Sequence, residues 1–468
     1  MSEAVRAARS AMTLGSALVV TSGVALVVRL LLPRLLGPSA FGELRLAESF
    51  AEMVFVILTL GVDQQLRREA ALDAARARRY LTGLTIWRAG LAVLAIGLFA
   101  GVLSATGASA HIIQIFLVLA LGQTLLVVNN SFAAYEHAAG DVSWLARTNF
   151  GIKLVWAGAV VAALTGLGSA MAVAVAGASI EALRCAWLLL RGVRVHGLTL
   201  QPDVRLAGAA ITASLPYFVH LFAHSLYARL GIGWLGAVSG ETQVGLFGAA
   251  ATFAGVALLG MPLLSWVLVP SAARAAAHSP AQFDDLVAGA LRTALLGAVP
   301  LAFVFHLAAP DLLALAFGEA YRPAASTLRL LAPTFALAYV ATVCAIVLLQ
   351  RDQVRQVATI SIGGLVVTAA LDAVLVPAYG AEGAALATLI TEVIVTTLLV
   401  RAARPAWHRS HLGRSTAALA GASAAGAVLF ALIPHPAPAV GVFLLVFVAL
   451  GGVTTGDLGT VRSLLEAS

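Results

Sequence analysis

At 468 residues, 60% hydrophobic and only 11% charged, with a mean hydropathy of +0.96, the chain is too apolar along its whole length to be a soluble enzyme or a soluble domain with one anchor. The apolar runs are continuous rather than alternating with period two, which excludes a β-barrel. The formal net charge of +7 would suit a nucleic-acid partner, but the arginines are dispersed among loops rather than gathered into one patch, so nucleic acid is excluded as well.

A bilayer-crossing helix needs roughly 20 apolar residues. Such runs predict about fourteen spans, over 12–33, 41–62, 82–104, 111–134, 148–165, 169–190, 208–234, 243–270, 289–309, 326–350, 355–376, 382–402, 415–433 and 438–455. The fold class expected is an all-α polytopic membrane protein. Arg6 and Arg9 before the first run mimic a signal peptide. The run is too long for one and ends at Leu32-Pro33-Arg34 without a small-x-small site, so it reads as an uncleaved span.

Arginines follow alternate spans. They stand at Arg67, Arg68, Arg76, Arg78 and Arg79, then at Arg191, Arg194 and Arg205, at Arg274 and Arg292, at Arg351 and Arg355, and at Arg401 to Arg414. The intervening loops near 105–110, 166–168, 236–242, 377–381 and 434–437 hold no Arg or Lys. This is the positive-inside pattern, and it places both termini in the cytoplasm. The one exception, Arg322 near 310–325, sits with Asp311 and Glu319 as a paired surface residue. The polar stretch 63–80 reads either as a surface helix on anionic lipid or as a solvated loop helix.

Charge inside a span costs about 2.5–3.5 kcal/mol on insertion scales, so residues that carry it are site candidates. Arg29 lies about 6 Å from the Pro33 end of span one by helix rise, and Arg88 and Lys153 lie a turn or two inside their spans. All three are within snorkelling reach of an interface. Arg45, Glu48 and Glu52 fall on one face of span two, and Glu52 lies near mid-bilayer. They are either a structural ion pair or the wall of a wet cavity, with Glu52 as a proton carrier. Tyr217, His220, His224 and Tyr227 share a stripe of span seven, more polar than packing requires, and are read as cavity lining. The His220–His224 pair has no third ligand in the sequence, so no metal is assigned. Glu181 and Glu392 repeat at like depths and are read as structural.

Cys185 and Cys344 fall inside spans, form no CxxC, and read as small buried hydrophobes. Gly231-Ile-Gly-Trp-Leu-Gly236 matches GxGxxG without a βαβ unit and is a chance match. Asn129-Asn-Ser131 is a sequon inside a span. There is no Walker A motif, no Ser/His/Asp arrangement and no polar catalytic loop, so the chain is read as not an enzyme and as needing no cofactor.

Two related halves are visible. Leu36-Gly-Pro-Ser-Ala-Phe-Gly42 enters span two, and Glu241-Thr-Gln-Val-Gly-Leu-Phe-Gly248 enters span eight. Gly166-Leu-Gly-Ser-Ala170 enters span six, and Gly380-Ala-Glu-Gly-Ala384 enters span twelve. The expected organisation is a six-helix lobe over 1–200, a second over 201–405, and an appended helix pair with its tail over 406–468. Six spans per unit makes the repeats of like orientation, related by an axis along the membrane normal.

The segment Leu375-Val-Pro-Ala-Tyr-Gly-Ala-Glu-Gly-Ala-Ala-Leu-Ala-Thr388 resembles a turn of polysaccharide flippases in the multidrug/oligosaccharidyl-lipid/polysaccharide (MOP) exporter superfamily. Gly37-Pro-Ser-Ala-Phe-Gly42, Gly61-Val-Asp-Gln-Gln-Leu-Arg67, Val244-Gly-Leu-Phe-Gly248 and Phe317-Gly-Glu-Ala-Tyr-Arg322 extend the resemblance over spans one to twelve. It implies a two-lobed bundle that alternates access around a central cavity. Wzx-type members, related to the MATE and lipid II flippases, move an undecaprenyl-diphosphate-linked oligosaccharide across the bacterial inner membrane for exopolysaccharide, capsule or O-antigen assembly. Arg29, Arg45, Arg88, Lys153 and the span-seven stripe would then bind substrate, with Glu48 and Glu52 coupling an ion. The implied partners are the lipid-linked glycan, membrane lipids, and a polysaccharide polymerase with other assembly proteins. The alternatives are a MATE-like drug/cation antiporter, a lipid II-type flippase, a membrane polymerase and a non-transporting scaffold.

Overall fold

The computed structural model describes residues 3–62, 66, 74–138, 142–197, 202–261, 264, 268–269, 272, 279–403 and 436–449, with 421, 422, 425 and 429 between them. All secondary structure among the described residues is helical. Eight helices are long and apolar enough to cross a membrane, so the chain is an all-α, multi-pass membrane protein. The elements are α1 (Glu3–Thr59), α2 (Ala74–Ala105), α3 (Ala110–Ala138), α4 (Val142–Leu167), α5 (Ala170–His196), α6 (Val204–Ser239), α7 (Glu241–Ala257), α8 (Pro280–Leu307), the short α9 (Ala309–Phe317), α10 (Ala325–Gln350), α11 (Val354–Ala403) and α12 (Pro436–Ala449).

Two of these helices hold two predicted spans each. α1 has 57 residues and α11 has 50. At 1.5 Å per residue each exceeds about 70 Å, more than twice a hydrocarbon core. Each is split into two limbs by one non-helical glycine, Gly37 (φ 75°, ψ 170°) in α1 and Gly380 (φ 56°, ψ −129°) in α11. Left-handed φ carries no Cβ penalty at glycine, which is why the break falls there. The expected loops 34–40 and 377–381 are thus single-residue breaks. Pro38 opens the second limb of α1 at a position where its missing N–H costs nothing. The expected loop 310–325 is also mostly helical, formed by α9 and a 3₁₀ turn over Glu319–Ala324. There Arg322 pairs with Glu319 at 3.0 Å and with Asp311 at 3.7 Å. The predicted span 415–433 lies outside the described residues apart from four positions.

The chain packs into two compact units, Met1–Gly245 and Leu246–Ser468. In the first unit Leu60, Leu66, Tyr80, Leu84, Phe132, Tyr135 and Leu188 form a core where α1 ends against α2, α3 and α5. Small residues let backbones approach, as membrane helix pairs require. A methyl on Gly122 of α3 would sit only 3.3 Å from Ala178 Cα of α5. In the second unit Phe283, Leu291, Val343, Cys344, Val347, Val357 and Leu399 form the core among α8, α10 and α11.

Candidate functional site

The first unit holds three sets of charged side chains at membrane depth, each positioned by a different helix contact. The second limb of α1 presents the first. Arg45 Nη1 donates to Glu48 Oε2 one turn on, while Glu52 Oε2 accepts from Arg229 Nε of α6 at 2.7 Å. Arg229 Nη1 also donates to the Ser225 carbonyl. The row read from the sequence therefore exists, but Glu52 pairs with span seven rather than with Arg45. Arg45 Nε and Ser49 Oγ on the same limb are buried without a partner among the described residues. Unsatisfied polar atoms of this kind mark where water or a ligand group would bind.

The second set spans α3, α4 and α5. Asn129 Nδ2 donates to both the backbone oxygen and Oε2 of Glu181, at 3.0 and 2.9 Å. Arg184 Nη2 donates to Asn149 Oδ1 at 3.1 Å, and its Nη1 lies 3.7 Å from Glu181 Oε2. Lys153 Nζ sits 4.0 Å from the ring centre of Trp156, a cation–π contact. The charges that act on Lys153 are Arg29, Glu181 and Arg184. Lys153 therefore feels two cations, Arg29 and Arg184, and one carboxylate, Glu181, which itself lies beside Arg184. Asn129, visible in the sequence only as part of a sequon inside a span, anchors that carboxylate together with Arg184.

The third set is Arg88, and its position differs from the snorkelling one expected. α2 begins at Ala74 rather than near 82, and the Arg88 guanidinium turns into the helix packing rather than toward an interface. It is 1% exposed. Its Nε donates to the Leu58 carbonyl at 2.8 Å, Nη2 to Thr59 at 3.2 Å, and Nη1 to Ser131 Oγ and the Val127 carbonyl. Leu58 and Thr59 close α1, where carbonyls lack intrahelical donors. Arg88 is therefore a C-terminal cap supplied in trans. Glu136, Arg191 and Trp144 form a similar tie, with an ion pair at 3.2 Å and the guanidinium 3.9 Å from the ring centre.

Tyr217, His220, His224 and Tyr227 all lie on α6. The side chains of Tyr217, His220 and His224 are outside the described residues, and Tyr227 is buried. In the second unit, sequence reasoning missed Asp372. It is fully buried on the first limb of α11, and neither carboxylate oxygen has a partner among the described residues. One turn earlier, Thr368 hydrogen-bonds Thr391 of the second limb at 3.0 Å. A bare carboxylate in such a place costs several kcal/mol, so Asp372 is carried neutral or with a cation. It is the one acidic residue in the predicted span 355–376, which was the available signal.

Among the described residues the arrangement consists of paired charges and polar ties between helices. The protein shares its fold with solved members of the MOP superfamily. A structure described as lipid II flippase MurJ in an inward closed conformation superposes with a TM-score of 0.77 at 12% identity, over 96% of this chain and 99% of that one. An inward-facing multidrug resistance MATE family transporter of the MOP superfamily gives 0.60 at 16% identity, over 81% and 97%. A MOP superfamily transporter from Pyrococcus furiosus, described as having a binding pocket of reverse polarity, gives 0.53 at 15%, over 84% and 93%. No curated protein matches the sequence. The family model described as "Polysaccharide biosynthesis protein" matches residues 7–276, and the chain belongs to that family. It is a multi-pass membrane protein of a polysaccharide-biosynthesis family.

Proposed function

We propose that the protein flips an undecaprenyl-diphosphate-linked oligosaccharide across the bacterial inner membrane by alternating access. The observation that carries this reading is the excess of cations within spans of the first unit, where Arg29 and Arg184 both act on Lys153 and only Glu181 opposes them. Charge within a span is costly unless paired, and a diphosphate is an anion of the required sign that guanidinium and ammonium groups bind through charge-assisted hydrogen bonds. Arg45 extends the basic surface on the second limb of α1. The span-seven stripe of Tyr217, His220, His224 and Tyr227 supplies rings suited to sugar faces. Glu48 and Glu52 are the candidate ion-coupling carboxylates, and Asp372 joins them from the second unit. Arg88 is left out of the recognition set because its donors are committed to backbone carbonyls.

The two six-span repeats, 1–200 and 201–405, would be the moving parts, with 406–468 appended. A polysaccharide polymerase and other assembly proteins would take the product. The drug/cation antiporter reading calls for a net acidic site and is disfavoured by this excess of cations. The test is complementation of a flippase-deficient strain by the unmodified chain. Restored surface glycan is the expected result. Resistance to cationic dyes without any glycan phenotype would replace the flippase by the antiporter.

Orientation has its own test. With both termini cytoplasmic, single cysteines at Ser109 and Pro436 in a Cys185→Ser, Cys344→Ser background should react with an impermeant thiol reagent on intact cells. One at Ala75 should not, and labelling of Ala75 would reverse the topology.

A further inference from the structure

The second limb of α1 runs antiparallel to α6 within the first unit. Phe50 lies against Gly233, Leu46 against Gly236, and Gly61 against Ser214. The Glu52–Arg229 ion pair bridges the same two helices, with each side chain about one-quarter exposed. At the Gly37 end, this limb also meets the start of α7, backbone to backbone. A methyl on Gly42 would overlap the Glu241 carbonyl, and a methyl on Gly245 would overlap the Pro38 carbonyl.

The contact is reciprocal. Gly37 and Gly240 have nearly the same backbone, φ 75° and ψ 170° against φ 80° and ψ 173°. Each is followed by a helix start, at Pro38 and at Glu241. The carbonyl of each first residue faces the glycine four residues into the other helix. Glycine inside a helix costs roughly 1 kcal/mol relative to alanine, so Gly42 and Gly245 weaken their own helices. What they permit is this approach, in which a glycine Cα–H meets a carbonyl, a weak attraction of the Cα–H···O kind. Its parting would break these two weak contacts, the packing of Leu46 and Phe50 on Gly236 and Gly233, and one ion pair, whose members are readily solvated once apart.

We infer that the Gly42–Gly245 seam and the Glu52–Arg229 pair form the outer gate of the transport cycle, joined when the outer side is shut and parted when it opens. This rests on the alternating-access reading and on the orientation proposed above. Leu46 and Phe50 line a small cleft of about 90 Å³ in this region, together with Thr106, Gly233, Gly236 and Glu241, and Leu46 itself is buried.

The test uses the full chain with Cys185→Ser and Cys344→Ser and a reporter Leu46→Cys, labelled on intact cells with an impermeant thiol reagent. Gly42→Ala or Gly245→Ala should raise labelling roughly tenfold, as expected when a minor open state becomes a major one. Gly101→Ala, whose added methyl meets open space, should change nothing. Should either glycine variant fail to accumulate, Arg229→Glu alone should raise labelling and the exchange Glu52→Arg, Arg229→Glu should return it to the parental level. Unchanged labelling in the accumulating variants, or an equal rise with Gly101→Ala, would overturn the gate. Labelling reads the gate whatever the cargo is. The tenfold rise without complementation of a flippase-deficient strain would sink the proposed substrate and leave the gate standing.

Discussion

The double variant Arg29→Gln, Lys153→Gln should lose glycan export by two orders of magnitude or more while accumulating normally. Hydrogen bonds to a charged group contribute about 1.5–3 kcal/mol each. Two of them lost from a diphosphate amount to about 3–6 kcal/mol, or between two and four decades of affinity. Folding should be spared, because Arg29 is exposed and the Lys153 ammonium rests on the Trp156 ring. Separating the two cations even removes a like-charge contact. Lys153→Arg together with Arg29→Lys should recover part of the export but not all, since the planar fork and the point charge do not present the same donors. The measurement is surface glycan in a flippase-deficient strain, normalised to protein abundance. Parental export by the double variant would remove these residues from substrate recognition.

Arg88→Leu is expected to have the opposite signature, loss of the protein itself. The substitution removes the guanidinium donors to the carbonyls of Leu58 and Thr59 and to the hydroxyl of Ser131. Each buried polar group left unsatisfied costs about 1–3 kcal/mol, and the total is a large share of the 5–15 kcal/mol that holds a typical domain. Abundance in the membrane and monodispersity after detergent extraction report the effect. A substrate role predicts the reverse for Arg88→Gln, with normal abundance and absent export, so the two variants separate the functions cleanly.

Much of the architecture was legible because membrane spans are written as apolar runs, and the breaks between them as glycine. Gly37 and Gly380 each stand in a motif read from the sequence, and Gly240 directly precedes one. What the sequence did not show was how small the breaks are. Pro38 and Pro377 looked like loop residues, yet both are accommodated within helical limbs that part only at the glycine beside or near them. The acidic and basic row Arg45, Glu48, Glu52 was visible from its spacing. The true partner of Glu52, Arg229, lies 177 residues away, beyond any local pattern.

The other gaps have the same origin. Arg88 sits near the end of its apolar run, but its guanidinium meets the end of α1 and Ser131 of α3, partners that no local pattern reveals. Asn129 carries no local sign that it will meet Glu181, 52 residues on. Asp372 could be seen as an acid in a span, whereas its lack of any partner is a property of its neighbours. The glycines at 42 and 245 could be matched as repeats, but not as surfaces that touch each other.

That mutual touch bears on how the chain came to be. When two identical subunits meet across a two-fold axis, residue i faces j and j faces i, so one feature of one surface appears twice for a single mutation. Pro38 against Gly245 and Glu241 against Gly42 reproduce that pattern inside one polypeptide. A six-span ancestor pairing with its own copy would have needed only one such glycine to make both contacts. The first residues of the two helices differ, proline in one and glutamate in the other, yet the same backbone contact forms on both sides, because it depends on the absence of a side chain at Gly42 and Gly245.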